Sequence, residues 1–108
     1  MAIPNLDVFQ VIADPSRRQI LQLLTKDSYN INSLSDNFEM SRPAVSKHIK
    51  ILETAGFVTI QEMGRERYCV LNQKGFTEIQ KWITFFDEFW SNKLQNLETI
   101  LKSKKDIN

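Results

Sequence analysis

The sequence predicts a mainly α fold that carries one small β-hairpin. Three observations lead there. Apolar residues recur at helical spacing along most of the chain, and the period drops to two between Phe57 and Leu71. Gly and Pro are scarce, at three each in 108 residues. A chain of this length makes one compact domain, expected over 1–108, with a limited core, so pairing with a second copy is a natural source of further stability.

Leu6, Phe9 and Val11 to Ala13 suit a short helix over about 5–12. Asp14-Pro15 restarts the chain, with Asp14 as N-cap and Pro15 as the first helical residue. Ile20, Leu21, Leu23 and Leu24 then give a compact apolar face that runs out near Lys26, and Asp27 to Asn30 reads as a loop. Asn32 is expected to cap a short third helix with Leu34 and Phe38 inward, and Glu39-Met40 to connect it tightly onward. Ser41 caps a fourth helix that runs to about Ala55, where Gly56 stands as the C′ glycine. Val45, Ile49 and Leu52 are its inward face, and the two helices form a helix-turn-helix over about 32–55.

After Gly56 the chain alternates from Phe57 to Glu62, with Val58 and Ile60 on one face. Met63-Gly64-Arg65-Glu66 turns it, and Tyr68 to Leu71 is a second strand with Tyr68 and Val70 on one face, making a hairpin over about 57–71 that Asn72 to Gly75 closes. A last helix is expected over about 76–103. Its apolar positions Phe76, Ile79, Ile83, Phe86, Trp90, Leu97 and Ile100 alternate steps of three and four, with Lys93 in the one missing place. Trp82, Phe89, Leu94 and Leu101 widen that face beyond what a single seam needs. This order of elements is that of a winged helix-turn-helix with a long C-terminal helix.

Net charge is +1, so no overall basic balance announces a nucleic acid. Its distribution is more telling: residues 1–40 sum to −2, residues 41–67 to +2 and residues 68–108 to +1, so the basic excess coincides with the fourth helix and the hairpin. One cysteine, Cys69, excludes an intramolecular disulfide, and one histidine, His48, leaves no histidine or cysteine pair for a metal, so no cofactor is expected. No nucleophile–base–orienter set and no phosphate-cradling glycine loop stands out, which argues against an enzyme. No basic and apolar leader opens the chain and no apolar run is long enough for a span, so a cytoplasmic protein without membrane contact is the expectation.

Four stretches carry a resemblance. DPSRRQILQLL at 14–24 looks like the second-helix signature of the ArsR/SmtB family, SRPAVSKHIKILETAGFV at 41–58 resembles its recognition helix, and GRERYCVL at 64–71 resembles its wing. FFDEFWSNKLQNLETIL at 85–101 looks like the C-terminal helix of a branch without metal ligands, which includes SdpR-like autorepressors. The resemblance covers roughly 5–101 and implies a homodimeric repressor that binds an inverted repeat in double-stranded DNA at a promoter, often its own.

On the fourth helix Arg42, Pro43, Ser46, Lys47 and Lys50 are expected to point outward, with Arg42, Ser46 and Lys47 suited to base edges and Ser41, at the helix start, to a phosphate. His48 sits at the edge of the apolar face, where its imidazole suits a DNA contact and equally a bond to a nearby carbonyl. Arg65 and Arg67 at the hairpin tip suit the DNA backbone or minor groove, or pairing with Glu62 or Glu66. Arg17 and Arg18 oppose the macrodipole at the start of the second helix, so they are read as partners of Asp14 or Asp7 or as phosphate ligands, and the family resemblance implies that one of them is a structural clamp. Leu6, Phe9, Ile83, Phe86, Trp90 and Leu97 are expected to form the homodimer interface. The rings of the last helix would also suit an organic ligand, with packing the leading reading, and an effector, small molecule or protein, is not named by any residue. Asp87 and Glu88 are adjacent on the helix and do not face a common metal. Cys69 reads as a small buried hydrophobe. A winged-helix module that binds proteins through its aromatic helix, and never DNA, is the alternative function.

Overall fold

The computed structural model describes residues 5–106, which form two compact units, the first up to Glu78 and the second from Ile79. The elements run α1 (Val8–Ile12), α2 (Pro15–Leu24), β1 (Tyr29–Asn30), α3 (Ile31–Ser35), α4 (Arg42–Thr54), β2 (Val58–Met63), β3 (Glu66–Leu71) and α5 (Gln73–Asp106). The mainly α winged-helix architecture expected from the sequence is therefore present, with its long C-terminal helix.

Local chemistry sets most boundaries. Asp7 caps α1 in a reciprocal capping box: its carboxylate accepts from Gln10 N–H at 2.8 Å, and Asp7 N–H donates to the Gln10 side chain at 2.9 Å. The helix thus starts three residues later than the expected 5–12. Asp14 caps α2 by accepting from Ser16 and Arg17 N–H at 2.8 and 3.2 Å, with Pro15 in the first turn. Ser41 caps α4 through Ala44 N–H. At the far end of α4, Gly56 at φ +85° lets its N–H donate to Glu53 O at 3.0 Å and Phe57 N–H to Leu52 O at 2.9 Å. Those two bonds are a Schellman stop.

Three expectations need correction. Tyr29 and Asn30 are not loop: they pair antiparallel with Cys69 and Tyr68, so the sheet has three strands in the order β1-β3-β2. Two residues cannot display an alternating pattern, so only the tertiary pairing makes this strand. Asn30, not Asn32, caps α3, accepting from Asn32 N–H at 2.8 Å as the chain leaves the strand. With its start fixed there, α3 ends at Ser35. Bonds of the three-residue kind, Asn37 N–H to Leu34 O and Phe38 N–H to Ser35 O, unwind it into a connection longer than the tight Glu39-Met40 link expected, and Phe38 lies half-buried outside the helix. Third, α5 starts at Gln73 and takes in Gly75, which the sequence places in the closing turn.

The core of the first unit lies among α2, α3, α4 and the sheet. Ile20, Leu34, Val45, Leu52, Phe57 and Cys69 are fully or almost fully shielded. Register places Val58 beside Leu71 and Ile60 beside Cys69, so these four share the inner face of the hairpin, while Thr59, Val70, Gln61 and Tyr68 share the outer one. Phe57 meets Phe76 edge to face with centroids 4.9 Å apart. In the second unit, α5 carries a ladder of edge-to-face rings, Trp82–Phe86, Phe85–Phe86 and Phe89–Trp90, with Lys93 5.8 Å above Phe89.

Candidate nucleic-acid interface

The inward face of α4 is settled by packing: Val45, Ile49 and Leu52 are buried, and Ile51 joins them. The remaining face follows by helical geometry. Ser41, Arg42, Pro43, Ser46, Lys47 and Lys50 are all exposed, and His48 is half-buried between the two faces. The Ser41 hydroxyl is used as a cap, which leaves its place at the helix start unchanged but commits its oxygen to Ala44 N–H at 3.3 Å.

The hairpin brings a second set of cations to the same side. Gly64 at φ +66° and Arg65 form the two-residue turn between Met63 and its partner Glu66, and only the first central residue needs a positive φ, the pattern of a II′ hairpin. Arg65 therefore stands at the tip as expected. Arg67 does not: β3 begins at Glu66, and Arg67 is in the strand opposite Glu62. The consequence is a cleft between hairpin, α4 and the start of α3, lined by Asn30, Ile31, Asn32, Ser46, Arg65, Glu66 and Arg67. A neighbouring cleft is lined by Ser46, Lys50, Glu53, Ile60 and Arg67. Neither Asn30 nor Asn32 is a site candidate on sequence grounds, because their place beside the arginines depends on β1. Tyr68 donates to Glu66 Oε2 at 2.9 Å, and that bond together with the carboxylate's charge pushes its phenol pKa up.

Both arginines of α2 are structural. Arg17 is buried, its Nε donating to Val11 O at 2.6 Å and Nη2 to Gln10 O at 3.3 Å, while Arg18 Nη1 donates to Ile12 O and Ala13 O at 2.8 and 2.9 Å. They satisfy the carbonyls that the C-terminus of α1 leaves open. Asp14 balances Arg17 at 3.9 Å. Burial pushes the Asp14 carboxyl up, but the N–H groups of Arg17 and Ser16 and the charges of His48 and Arg17 outweigh it, and its pKa is lowered. Arg17 also reaches α4, with Nη1 3.3 Å from His48 Nδ1. His48 is thus bonded to a cation, not to the carbonyl that the sequence suggested. Its pKa is lowered, by burial first and then by Arg17 and Lys47, against an opposing pull from Asp14.

Cys69 is buried in β3, and burial, with Glu53 adding to it, raises its pKa to about 11. A thiol in that state is a packing group. Among the described residues, no cluster of three or more His, Cys, Asp or Glu could hold a metal, and no helix is long and apolar enough to cross a membrane. Of the interface candidates, Leu6 is half-buried, and Phe9, Ile83, Phe86, Trp90 and Leu97 are exposed by 39–57%.

A capped helix with a basic outer face, flanked by a hairpin with arginines, defines the class: a winged-helix transcriptional regulator. Comparison with known proteins agrees. The pattern of bacterial regulatory proteins of the arsR family matches residues 14–59. The HTH-type transcriptional regulator Rv2034 of Mycobacterium tuberculosis is 32% identical over 98 residues, covering 91% of this chain and 89% of that protein. The transcriptional repressor SdpR of Bacillus subtilis is 31% identical over 88 residues, covering 82% and 98%. Among solved structures, the ArsR family transcriptional regulator RHA00566 superposes with a TM-score of 0.70 at 33% identity, over 78% of this chain and 92% of that one. The chain belongs to the arsR family of bacterial regulatory proteins, a family of transcriptional regulators and not of enzymes.

Proposed function

We propose that this regulator is a repressor that binds double-stranded DNA as a homodimer, at a near-palindromic operator overlapping a promoter, its own among the candidates. The observation that carries the reading is the cleft where Ser46 of α4 and Arg65 and Arg67 of the hairpin come together. Such a cleft suits a phosphate flanked by bases: α4 enters the major groove with its N-terminal residues on base edges, and the hairpin follows the backbone. Arg42, Ser46 and Lys47 are the reading residues, with Pro43 exposed beside them, and Ser41, Lys50, Arg65 and Arg67 the anchoring ones. Two copies would present two α4 helices about one helical turn, roughly 34 Å, apart.

The apolar residues exposed along α5 support pairing with a second copy, because a single chain leaves them in water. A relative bearing the name of repressor, over nearly its whole length, supports the direction of regulation. The protein then works where the chromosome is, in the cytoplasm. Footprinting on the chain's own upstream region tests this. Protection of two half-sites related by a dyad is expected. No protection of any promoter duplex at low salt would leave the protein-binding module as the better reading.

A further inference from the structure

His48 stands at the border between the half of α4 that packs and the half that faces out, and its bonding fixes more than its place. Arg17 Nη1 lies 3.3 Å from His48 Nδ1. A guanidinium offers donors only and stays charged, so Nδ1 must accept. The ring is then neutral, with its proton on Nε2. The Nε2–H donates no hydrogen bond to any of the described residues. Arg17 cannot follow a moving ring, because the carbonyls of Val11 and Gln10 hold Nε and Nη2. The charged groups that face the ring are Asp14 and Arg17 from α2 and Lys47 from α4 itself. Asp14 lies against Nη1 of Arg17 and balances that charge.

We propose that Arg17 is a positioning residue for DNA reading: by holding His48 as the Nε2–H tautomer, it gives α4 a hydrogen-bond donor of fixed sense beside Lys47. This rests on the DNA-binding reading of α4. A ring free to exchange tautomers could either donate or accept. The held ring suits only acceptors, a phosphate oxygen, a purine N7, guanine O6 or thymine O4, and disfavours the amino groups of adenine and cytosine. Arg17 thereby ties the end of α1 to the chemistry presented by α4.

The chain has one histidine, so its ring nitrogens are read by ¹⁵N NMR without assignment. An unprotonated Nδ1 and a protonated Nε2 near neutral pH are expected, and Arg17→Gln should bring the two signals toward each other. A ring protonated at Nδ1, or averaging between tautomers in the unaltered chain, overturns the lock whether or not DNA binds. The second arm uses duplex from the chain's own upstream region. His48→Gln, whose amide nitrogen reaches the place of Nε2, should bind within about threefold of the unaltered chain, and His48→Asn roughly tenfold more weakly, the worth of one good hydrogen bond. Loss on that duplex alone identifies a base acceptor, and equal loss on a scrambled duplex a phosphate. His48→Asn binding as well as the unaltered chain overturns the donor role. An unaltered chain that binds neither duplex overturns the DNA reading itself, and the ring signal tells the two failures apart.

Discussion

At the scale of single residues, the telling feature is how few polar groups are idle inside the fold. Arg17 serves α1, Asp14 and His48 at once. Its cost follows from the same contacts. His48 has a folded pKa below its ordinary 6.5, burial being the main cause. Between that depressed value and 6.5 the unfolded chain binds more protons than the folded one, so stability rises with pH through the window. The contribution is complete above 6.5 and is lost as pH falls through the folded pKa. Urea midpoints measured at about pH 7.5 and about pH 5.5 should therefore fall further for the unaltered chain than for His48→Gln. Equal falls would remove His48 from the pH response. Much of this was hidden in the sequence. Two arginines in the first turn of α2 oppose its dipole and so demanded an explanation, but that α1's carbonyls and His48 supply it is a matter of tertiary approach.

At the scale of elements, the capped helices were legible because their signals are local. Asp14-Pro15, Ser41 and Gly56 each act within three residues of themselves, and the structure uses all three as read. The two-residue β1 and the early end of α3 were not, because pairing with β3 and a cap at Asn30 decide them. The hairpin was placed from its period, but its inner face runs through Cys69 and Ile60, a register only the partner strand fixes. Glycines give a sharp test of which contacts hold the elements together. A methyl on Gly75 would come within 2.8 Å of the Phe57 ring and 2.9 Å of its backbone N, whereas one on Gly64 meets nothing within 4 Å. Gly75→Ala should cost about 1–3 kcal/mol through overpacking against an immobile ring. Gly64→Ala pays only for its positive φ of 66°, at most about 1–2 kcal/mol. Denaturant unfolding ranks them. A Gly75→Ala chain as stable as the unaltered one would mean that α5 does not seat on Phe57 as described.

At the scale of the whole molecule, the first unit buries most of its large apolar side chains and the second leaves most of its own exposed. Trp82, Phe85, Phe89, Trp90 and Leu94 are 46–66% exposed on a helix whose apolar face the sequence already marked as too wide for one seam. If pairing covers that face, Trp90→Lys should shift sedimentation from dimer toward monomer at micromolar concentration while the first unit keeps its fold, and a dimer indifferent to the change would put the interface elsewhere. The central claim is that α4 reads and the hairpin anchors. Fluorescence anisotropy of a labelled duplex from the chain's own upstream region, against a scrambled duplex, over a series of salt concentrations, tests it most directly. The unaltered chain should prefer its own region and lose affinity steeply with salt. Arg42→Ala should lose about 1–3 kcal/mol on that region and much of the preference, and Arg65→Ala should weaken both duplexes alike and flatten the salt slope by about one. Equal binding of both duplexes by the unaltered chain, with neither variant altering it, would contradict the account.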